Sequence, residues 1–284
     1  MVFEVRKPGK ESAALRFLYH TAVGRLLLRP LVGRGFSRVV GRFMDGRVSR
    51  VLIAPFVRKK GIDLSLYETA KYVSFNDFFT RRIRAELRPV DPSPDALVSP
   101  CDGWLSIRPI EADSVFPVKQ SRYTLSALLG SAEDAALFSG GLCLVFRLCP
   151  EHYHRYCYPD SGRERMHRFL PGKLHTVRPI ALERVPVFTE NCREVTLLDT
   201  EHLGTVAQIE VGAMLVGRIA NRHPEGGVRR GEEKGRFLYG GSTVVVLLQK
   251  DAAAPEPELL AASQRGDEVA VCMGQRIGKA LRRL

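Results

Sequence analysis

Three prolines within the seven residues from Arg88 to Pro94 divide the chain into two parts with different hydrophobic patterns. Proline fixes φ and has no backbone N–H, so a cluster of this kind ends any helix that reaches it. Upstream, apolar residues recur at helical spacing from about Ser12 to Phe79, whereas downstream they form short runs separated by turn residues. We therefore predict an α+β fold in which a basic helical N-terminal region, residues 1–90, packs on a β-rich core, residues 91–284.

The β-rich core is predicted from short runs that are continuously apolar or alternate with a period of two. One helix is predicted at Leu125–Leu129, with Thr124 as its N-cap, and another is predicted at the C-terminus. The predicted strands are 103–107, 142–148, 185–188, 194–198, 206–211, 213–219 and 244–248.

Charge is distributed unevenly between the two parts. Residues 1–90 contain 19 Lys and Arg against 7 Asp and Glu, whereas residues 91–284 contain 24 of each kind. The arginines of the first part alternate with aliphatic residues at helical spacing, which is typical of amphipathic helices that bind anionic membrane surfaces. Nucleic acid is the competing partner, but no nucleic-acid-binding motif is present, so we predict no such partner. A simply solvated arginine-rich face is the remaining alternative.

The chain has no run of the ~18 to 20 apolar residues that a membrane-spanning helix needs. Its N-terminus lacks the apolar segment of a signal peptide. The six cysteines form no CxxC pair, so we expect reduced thiols and no metal site. These features predict a peripheral protein on the cytoplasmic face of the cell membrane.

The tetrad Gly240-Gly241-Ser242-Thr243 precedes the last predicted strand and is the strongest candidate for chemistry. Glycine tolerates backbone conformations that other residues rarely adopt, so the Ser242 hydroxyl can bend back towards the carbonyl of Gly241. Attack there would convert the peptide to an ester, and elimination would leave a pyruvoyl group on the downstream chain. Such a carbonyl can serve as an electron sink. The alternative is an ordinary turn that enters a strand.

Two further segments place polar groups next to predicted strands. Asp102 lies in the turn Ser99–Gly103, where its carboxylate could orient an imidazole. The segment from Glu151 to Pro159 follows an apolar strand and combines polar with aromatic residues, which suggests a lined pocket. Within it, Arg155 could bind a phosphate or a carboxylate. Taken singly, each of these residues also fits a structural role.

In these motifs and in their order, the chain resembles the pyruvoyl-dependent phosphatidylserine decarboxylases. The resemblance covers most of the chain from about Leu15 to Gln249. It rests on the segments Ser74–Arg81, Arg88-Pro89, Ser99–Gly103, Tyr153-His154-Arg155, Val211-Gly212-Ala213, Gly231–Gly235 and Gly240–Thr243.

The resemblance implies a proenzyme that cuts itself between Gly241 and Ser242, giving a β chain of residues 1–241 and an α chain of residues 242–284. Ser242 would become the pyruvoyl cofactor, and Gly240 and Thr243 would support the cleavage turn. The β-rich core would be the catalytic domain. Phosphatidylserine would form a Schiff base with the pyruvoyl group, lose CO2 and be released as phosphatidylethanolamine.

The resemblance also implies roles for individual side chains. His154 matches a histidine associated with decarboxylation, as proton donor or substrate ligand. Asp102 matches the acid of an Asp-His-Ser arrangement that activates Ser242 for self-cleavage. Tyr153 and Arg155, on either side of His154, are predicted to bind the substrate.

One position departs from the family pattern. Many members carry the histidine of the Asp-His-Ser arrangement three residues after the first histidine, where this chain has Cys157. A neutral thiol is a poor proton acceptor, so either Cys157 ionises or another residue is the base. We predict that His175 is this base, on a strand that pairs with Cys157. The alternative is that His154 serves both roles.

Two other functions stay open at this point. The chain could be a non-catalytic β-rich module that binds anionic lipid, with the tetrad as a turn. It could also be a pyruvoyl decarboxylase of a soluble amino acid, although a soluble substrate gives no reason for a basic membrane-seeking region. The sequence leaves open the acyl-chain preference and whether the chain forms a homodimer.

Overall fold

The computed structural model describes residues 4–6, 12–68, 71–111, 115–118, 121–214, 218–239 and 242–281. It confirms the predicted α+β class, with helices concentrated in the N-terminal region and antiparallel strands in the core. The helices are α1 (Ala13–His20), α2 (Ala22–Leu31), α3 (Arg34–Asp45), α4 (Ile53–Lys60), α5 (Phe75–Phe79), α6 (Leu125–Leu129), α7 (Ala132–Ala136), α8 (Pro179–Leu182), α9 (Val187–Glu190) and α10 (Pro257–Gln264). Short 3-10 helices occur at Arg47–Leu52, Leu64–Leu66 and Ala85–Leu87.

The strands form one large sheet and three small ones. They are β1 (Val5–Arg6), β2 (Ala96–Val98), β3 (Gly103–Pro109), β4 (Val115–Val118), β5 (Ser121–Thr124), β6 (Leu142–Leu148), β7 (Arg155–Cys157), β8 (Gly162–Leu170), β9 (Arg193–Thr200), β10 (Gly204–Val211), β11 (Ile219–Asn221), β12 (Gly227–Val228), β13 (Glu233–Phe237), β14 (Ser242–Leu248), β15 (Ala253–Pro255), β16 (Glu268–Val271) and β17 (Arg276–Ala280). The main sheet has the order β1-β16-β3-β6-β14-β10-β9-β8-β12, and the small sheets are β11-β13-β7, β15-β17-β2 and β4-β5.

Strand β14 lies at the centre of the main sheet, between β6 and β10. Its side chains alternate between two core clusters because successive residues of a strand point to opposite faces. Val245 and Leu247 pack with residues of the helices, on what we call the helical side of the sheet. Val244, Val246 and Leu248 pack with residues of the small sheets and α10, on what we call the strand side.

The N-terminal region contacts the core at several places, two of which involve the main sheet and its helical side. Strand β1 pairs with β16 at the edge of the main sheet, and Tyr19, Leu28 and Val32 join the cluster on the helical side. The same region nevertheless exposes many large apolar side chains, which are Phe17, Val23, Leu26, Leu27, Phe36, Val39, Phe43, Val48 and Val51. Within the described residues, no helix combines the length and the apolar character needed to cross a bilayer.

Three local predictions differ from the structure. The strand predicted at 185–188 is wrong, because Pro186 is followed by the short helix α9. The strand predicted at 213–219 contributes only its last residue to β11, and residues 215–217 lie outside the described part of the chain. Strand β8 was not predicted, since it lies near the sheet edge, is only partly buried and carries charged residues in place of an apolar alternation.

Candidate active site

Ser242 is the first residue of the central strand β14, where it pairs with Leu148 of β6. Its side chain is fully buried, and its Oγ has no hydrogen-bond partner among the described residues. Strand alternation places this hydroxyl on the strand side of the sheet, with Val244. A buried polar group without a partner is costly, so it points to a chemical role. Gly240 and Gly241, the other residues of the predicted cleavage site, lie outside the described residues.

The chain just upstream of Ser242 is held by helix α5. The side chain of Asn76 accepts a hydrogen bond from the backbone N–H of Tyr239 (2.8 Å). The ring of Tyr239 packs edge-on against Phe75 and Phe79, with centroid distances of 4.9 and 5.4 Å. The motif from Ser74 to Arg81 therefore positions the segment that leads into the tetrad, a role that sequence reasoning did not assign to it.

His154 lies in the connection between β6 and β7 and is fully buried. Its ring packs on Phe79, which also contacts Tyr239, so the imidazole lies at the end of the sheet where β14 begins. Its Nδ1 is 2.9 Å from the carbonyl oxygen of His152. A carbonyl can only accept, so in the neutral ring Nδ1 carries the proton and Nε2 is the basic nitrogen.

Asp102 is bound at both oxygens by groups other than a histidine. The guanidinium of Arg88 donates to it from Nε (2.8 Å) and Nη2 (2.6 Å), and the backbone N–H of Met273 donates to Oδ1 (2.8 Å). No histidine is among its hydrogen-bond partners in the described part of the chain. The predicted orientation of an imidazole by Asp102 is therefore not seen in this structure, whereas the Arg88-Pro89 motif supplies its counter-ion.

Cys157 is buried in β7 and is a poor candidate for a thiolate base. Its Sγ lies 3.9 Å from the carbonyl oxygen of Ser99, and burial raises the pKa of the thiol to about 12. The nearby Asp102 carboxylate raises this pKa further, because a second negative charge there is unfavourable. The thiol therefore stays protonated at neutral pH.

The prediction that His175 lies on a strand paired with Cys157 is wrong. Cys157 belongs to β7, which pairs with β13, and His175 follows β8 in an irregular segment. The Nδ1 of His175 lies 3.3 Å from the hydroxyl of Tyr19. The backbone N–H of His175 donates to the side-chain oxygen of Asn191 (2.9 Å). Tyr19 belongs to the cluster on the helical side, whereas Ser242 faces the strand side. Burial also lowers the pKa of His175.

Arg155 and Tyr153 make contacts that connect elements of the fold. Arg155 donates from Nη1 to both oxygens of Glu233 (2.7 and 2.9 Å) and from Nε to the carbonyl of Thr80 (2.9 Å). Tyr153 packs in a small cluster with Tyr67, and burial raises the pKa of Tyr153 to about 12. Substrate binding by these two residues stays a prediction.

A buried ion pair lies close to Ser242 and was not identified from the sequence. Lys234 donates to Glu210 (2.8 Å), and both side chains are completely buried. Glu210 is directly opposite Val244 of β14 and also accepts a hydrogen bond from Asn221 (2.8 Å). Burial raises the pKa of Glu210, and the Lys234 ammonium opposes this effect. The sequence feature that could have indicated this ion pair is the single acidic residue within the apolar run 206–211.

Three residues that could ligate a metal come together far from this centre. Glu164, His167 and His223 place their ligand atoms within 4.8 Å of one another. Glu164 and His167 lie on β8, which is three strands from β14 in the main sheet. No metal site was predicted from the sequence. The cluster is linked to the main sheet through His223, whose Nε2 lies 2.7 Å from Glu194 of β9.

The chain is similar to known proteins both as a family and as individual sequences. The family model described as phosphatidylserine decarboxylase matches residues 75–279. The chain is 39% identical over 270 residues to phosphatidylserine decarboxylase proenzyme 2 of Clostridium acetobutylicum, covering 95% of this chain and 92% of that protein. It is 37% identical over 283 residues to the phosphatidylserine decarboxylase proenzyme of Desulfitobacterium hafniense, covering 97% and 94%. The corresponding proenzyme of Chlamydia trachomatis is 38% identical over 274 residues, covering 94% and 91%.

The core is α+β and has a buried serine at the start of its central strand. Together with the relatives named above, this arrangement defines the protein as a decarboxylase. This confirms the enzyme class predicted from the motifs and excludes the non-catalytic module. The chain belongs to the phosphatidylserine decarboxylase family. The resemblance described from the sequence is thereby confirmed.

Proposed function

We propose that this chain cleaves itself between Gly241 and Ser242 and then converts phosphatidylserine to phosphatidylethanolamine. Cleavage would leave a β chain of residues 1–241 and an α chain of residues 242–284, joined by the pairing of β14 with β6 and β10. The observation that carries the proposal is the buried Ser242 hydroxyl, which has no hydrogen-bond partner among the described residues. The names of the relatives support it, since each is called a proenzyme.

Self-cleavage requires only atoms of this chain and water. Oγ of Ser242 attacks the carbonyl carbon of Gly241 and gives its proton to a base, and the C–N bond breaks as the nitrogen takes up a proton. Loss of the α-proton of Ser242 then expels the Gly241 carboxylate. Water replaces the nitrogen, which leaves as ammonia, and a pyruvoyl group remains at the start of β14.

We assign His154 as the base of the first step. It is a buried imidazole at the end of the sheet where β14 begins, and its bond to His152 leaves Nε2 as the basic nitrogen. His175 faces the opposite side of the sheet, and the Cys157 thiol has a pKa of about 12, so it is protonated at neutral pH. Of the sequence alternatives, the geometry favours His154 in both roles.

The start of β14 is a suitable place for a pyruvoyl group. Strands β6 and β10 flank Ser242, so the group would be held in a fixed orientation by the central part of the sheet. When present, its carbonyl supplies the electrophile and the electron sink that decarboxylation of an amino acid requires. The ring of Phe79 packs on the imidazole of His154, which is completely buried and so is shielded from water.

We also propose that residues 1–90 bind peripherally to an anionic membrane surface on the cytoplasmic face of the cell membrane. The exposed apolar side chains of α2 and α3 lie among arginines, as expected for helices at a lipid interface. A lipid substrate gives this arrangement a purpose, because the enzyme has to reach a headgroup that stays in the bilayer.

Intact-mass analysis of the purified protein tests the proposed chemistry. We expect two fragments that meet at 241/242, with the shorter one blocked to N-terminal sequencing, and release of CO2 from phosphatidylserine. Ser242→Ala should give one uncleaved, inactive chain. His154→Ala should slow cleavage by roughly 100-fold or more, the usual contribution of a general base, whereas His175→Ala should be cleaved at the wild-type rate.

Each contrary result has a separate meaning. A wild-type chain that stays uncleaved with an ordinary Ser242 would overturn self-processing. Normal cleavage of His154→Ala would remove His154 as the base and leave self-processing intact. Release of CO2 from free serine but not from phosphatidylserine would favour the decarboxylase of a soluble amino acid.

A further inference from the structure

Helix α3 exposes large apolar side chains as well as arginines, and its buried residue is the small Ser37. Three of its apolar side chains point into solvent: Phe36 (39% exposed), Val39 (67%) and Phe43 (48%). Three of its arginines, spaced one turn apart, line a cavity between this helix and the core: Arg34, Arg38 and Arg42. All three arginines are exposed, so the helix presents an apolar surface and, beside it, a cavity with a basic, solvent-accessible wall.

The cavity has a volume of about 370 Å³ and is lined in part by Leu238 and Tyr239, which precede the tetrad. Its wall includes Asn76 and Tyr239, which are joined by a hydrogen bond (2.8 Å). Tyr239 is three residues before Ser242 in the sequence. Because an extended chain spans at most roughly 3.6 Å per residue, the Cα atom of Tyr239 lies within about 11 Å of the Cα atom of Ser242. A small headgroup could therefore contact both places.

The cavity carries an uncompensated positive charge. Arg218 joins the three arginines of α3 in its wall, and none of its lining residues within the described chain is acidic. Arg218 forms an ion pair with Asp45, and Arg34 packs over the ring of Phe169 at 5.9 Å. Arg38 and Arg42 have no hydrogen-bond or ion-pair partner among the described residues. Two guanidinium groups are thus available to an anion.

We propose that this cavity binds the phosphodiester of the lipid substrate through Arg38 and Arg42, an assignment that rests on the proposed function. Guanidinium groups bind phosphate oxygens in a fork geometry. The carboxylate of the substrate is a poorer candidate, because it leaves as CO2 and its contact with arginine would stabilise the ground state more than the transition state. With the phosphate in the cavity, the acyl chains extend towards the apolar outer side of α3.

Small residues on the inner side of α3 keep the cavity open. Gly41 and Ser37 line it, and a Cβ added at Gly41 would meet no atom within 4 Å. Gly35 lies on the same helix, has equally open surroundings and does not line the cavity. Leucine has a higher helix propensity than glycine, so neither substitution should weaken the helix. The two glycines therefore provide a matched pair of substitutions.

The first test fills the cavity without changing charge. Steady-state kinetics with short-chain, monomeric phosphatidylserine avoid any contribution from a membrane surface. Gly41→Leu should raise KM about tenfold or more with little change in kcat, and Gly35→Leu should match the wild type. An unchanged KM in Gly41→Leu, with cleavage at 241/242 complete by intact mass, would overturn the proposal.

The second test removes charge. Arg38→Gln and Arg42→Gln should each raise KM for the same substrate by about tenfold or more, the effect of losing one charged hydrogen bond. Arg163→Gln, an exposed change on β8 with the same loss of charge, should leave KM unchanged. Equal effects of all three variants would show a general charge effect and would contradict a specific site.

Inhibition distinguishes the headgroup from a free anion. Glycerophosphoethanolamine should inhibit the wild type at least tenfold more strongly than inorganic phosphate, and the preference should disappear in Arg38→Gln. Equal inhibition by the two compounds would assign a free-phosphate site and overturn the headgroup assignment. A wild type that is cleaved but releases no CO2 from phosphatidylserine would refute the proposed function itself, which is a separate outcome from unchanged KM values.

Discussion

Apolar side chains of the same types are buried in the central sheet but exposed on the N-terminal helices. Leu247 of β14 is completely buried, whereas Leu26 of α2 is 62% exposed. The sheet buries its apolar side chains on both faces by packing elements of this chain on each side. The helices present an apolar surface that the described residues do not cover. Exposed apolar surface of this extent indicates an external partner, which we propose is a lipid bilayer.

The two regions also differ in how they compensate charge. In the core, Arg88 pairs with Asp102, Arg155 with Glu233, and Lys234 with Glu210. In the helices, Arg38 and Arg42 have no acidic partner among the described residues. The core therefore pairs these charges internally, whereas the helical region leaves cations for an anionic surface or ligand. Three predictions test this contrast in the uncleaved Ser242→Ala protein, where unfolding involves a single chain.

The largest effect is expected from breaking a buried charge pair. Lys234→Met should lower the free energy of unfolding by about 3–5 kcal/mol, because it leaves the Glu210 carboxylate buried without its counter-ion. Arg47→Met, at an exposed position of the helical region, should change it by less than about 0.5 kcal/mol. Denaturation by urea measures both values. Similar losses in the two variants would show that charge is compensated alike in both regions.

A leucine pair tests the apolar contrast directly. Leu247→Ala should destabilise the protein by about 2–5 kcal/mol through the cavity it leaves, whereas Leu26→Ala should cost less than about 0.5 kcal/mol. Leu26→Ala should instead weaken binding to vesicles of anionic phospholipid by about tenfold, since one leucine no longer enters the lipid. Wild-type binding should also fall as salt is raised. Unchanged vesicle binding in Leu26→Ala would argue against this surface as the membrane contact.

The smallest effect is expected at the junction of the two regions, where His175 contacts Tyr19. Burial lowers the pKa of His175 in the folded protein, so the unfolded chain binds the proton more readily. Stability is therefore complete above the unfolded value of about 6.5 and falls as the pH drops through it towards the lower folded pKa. In His175→Gln, the free energy of unfolding should therefore fall less at low pH than in the parent protein, by about 1 kcal/mol or less. Identical pH profiles of unfolding for the two proteins would exclude His175 as its source.

Features that depend on neighbouring residues were predictable from the sequence. The strand 142–148 has the predicted bounds, and Thr124 caps α6 as expected. Ser242 begins a buried strand because the β-branched residues that follow it favour the strand conformation. The motifs that carry the resemblance could also be recognised, because each consists of a few consecutive residues.

Features that depend on which segments pack together were decided only by the tertiary structure. The sequence could not show that His175 faces the helical side of the sheet, that Arg88 binds Asp102, or that the arginines of α3 line a cavity. A side chain's partner across space depends on strand order and on the face of the sheet, and neither is encoded in local periodicity. The sequence by itself therefore determined the fold class, the family and the serine that we propose as reactive. The tertiary structure decided that His154 lies at the end of the sheet where β14 begins, and it revealed the cavity beside α3 that we propose binds the headgroup.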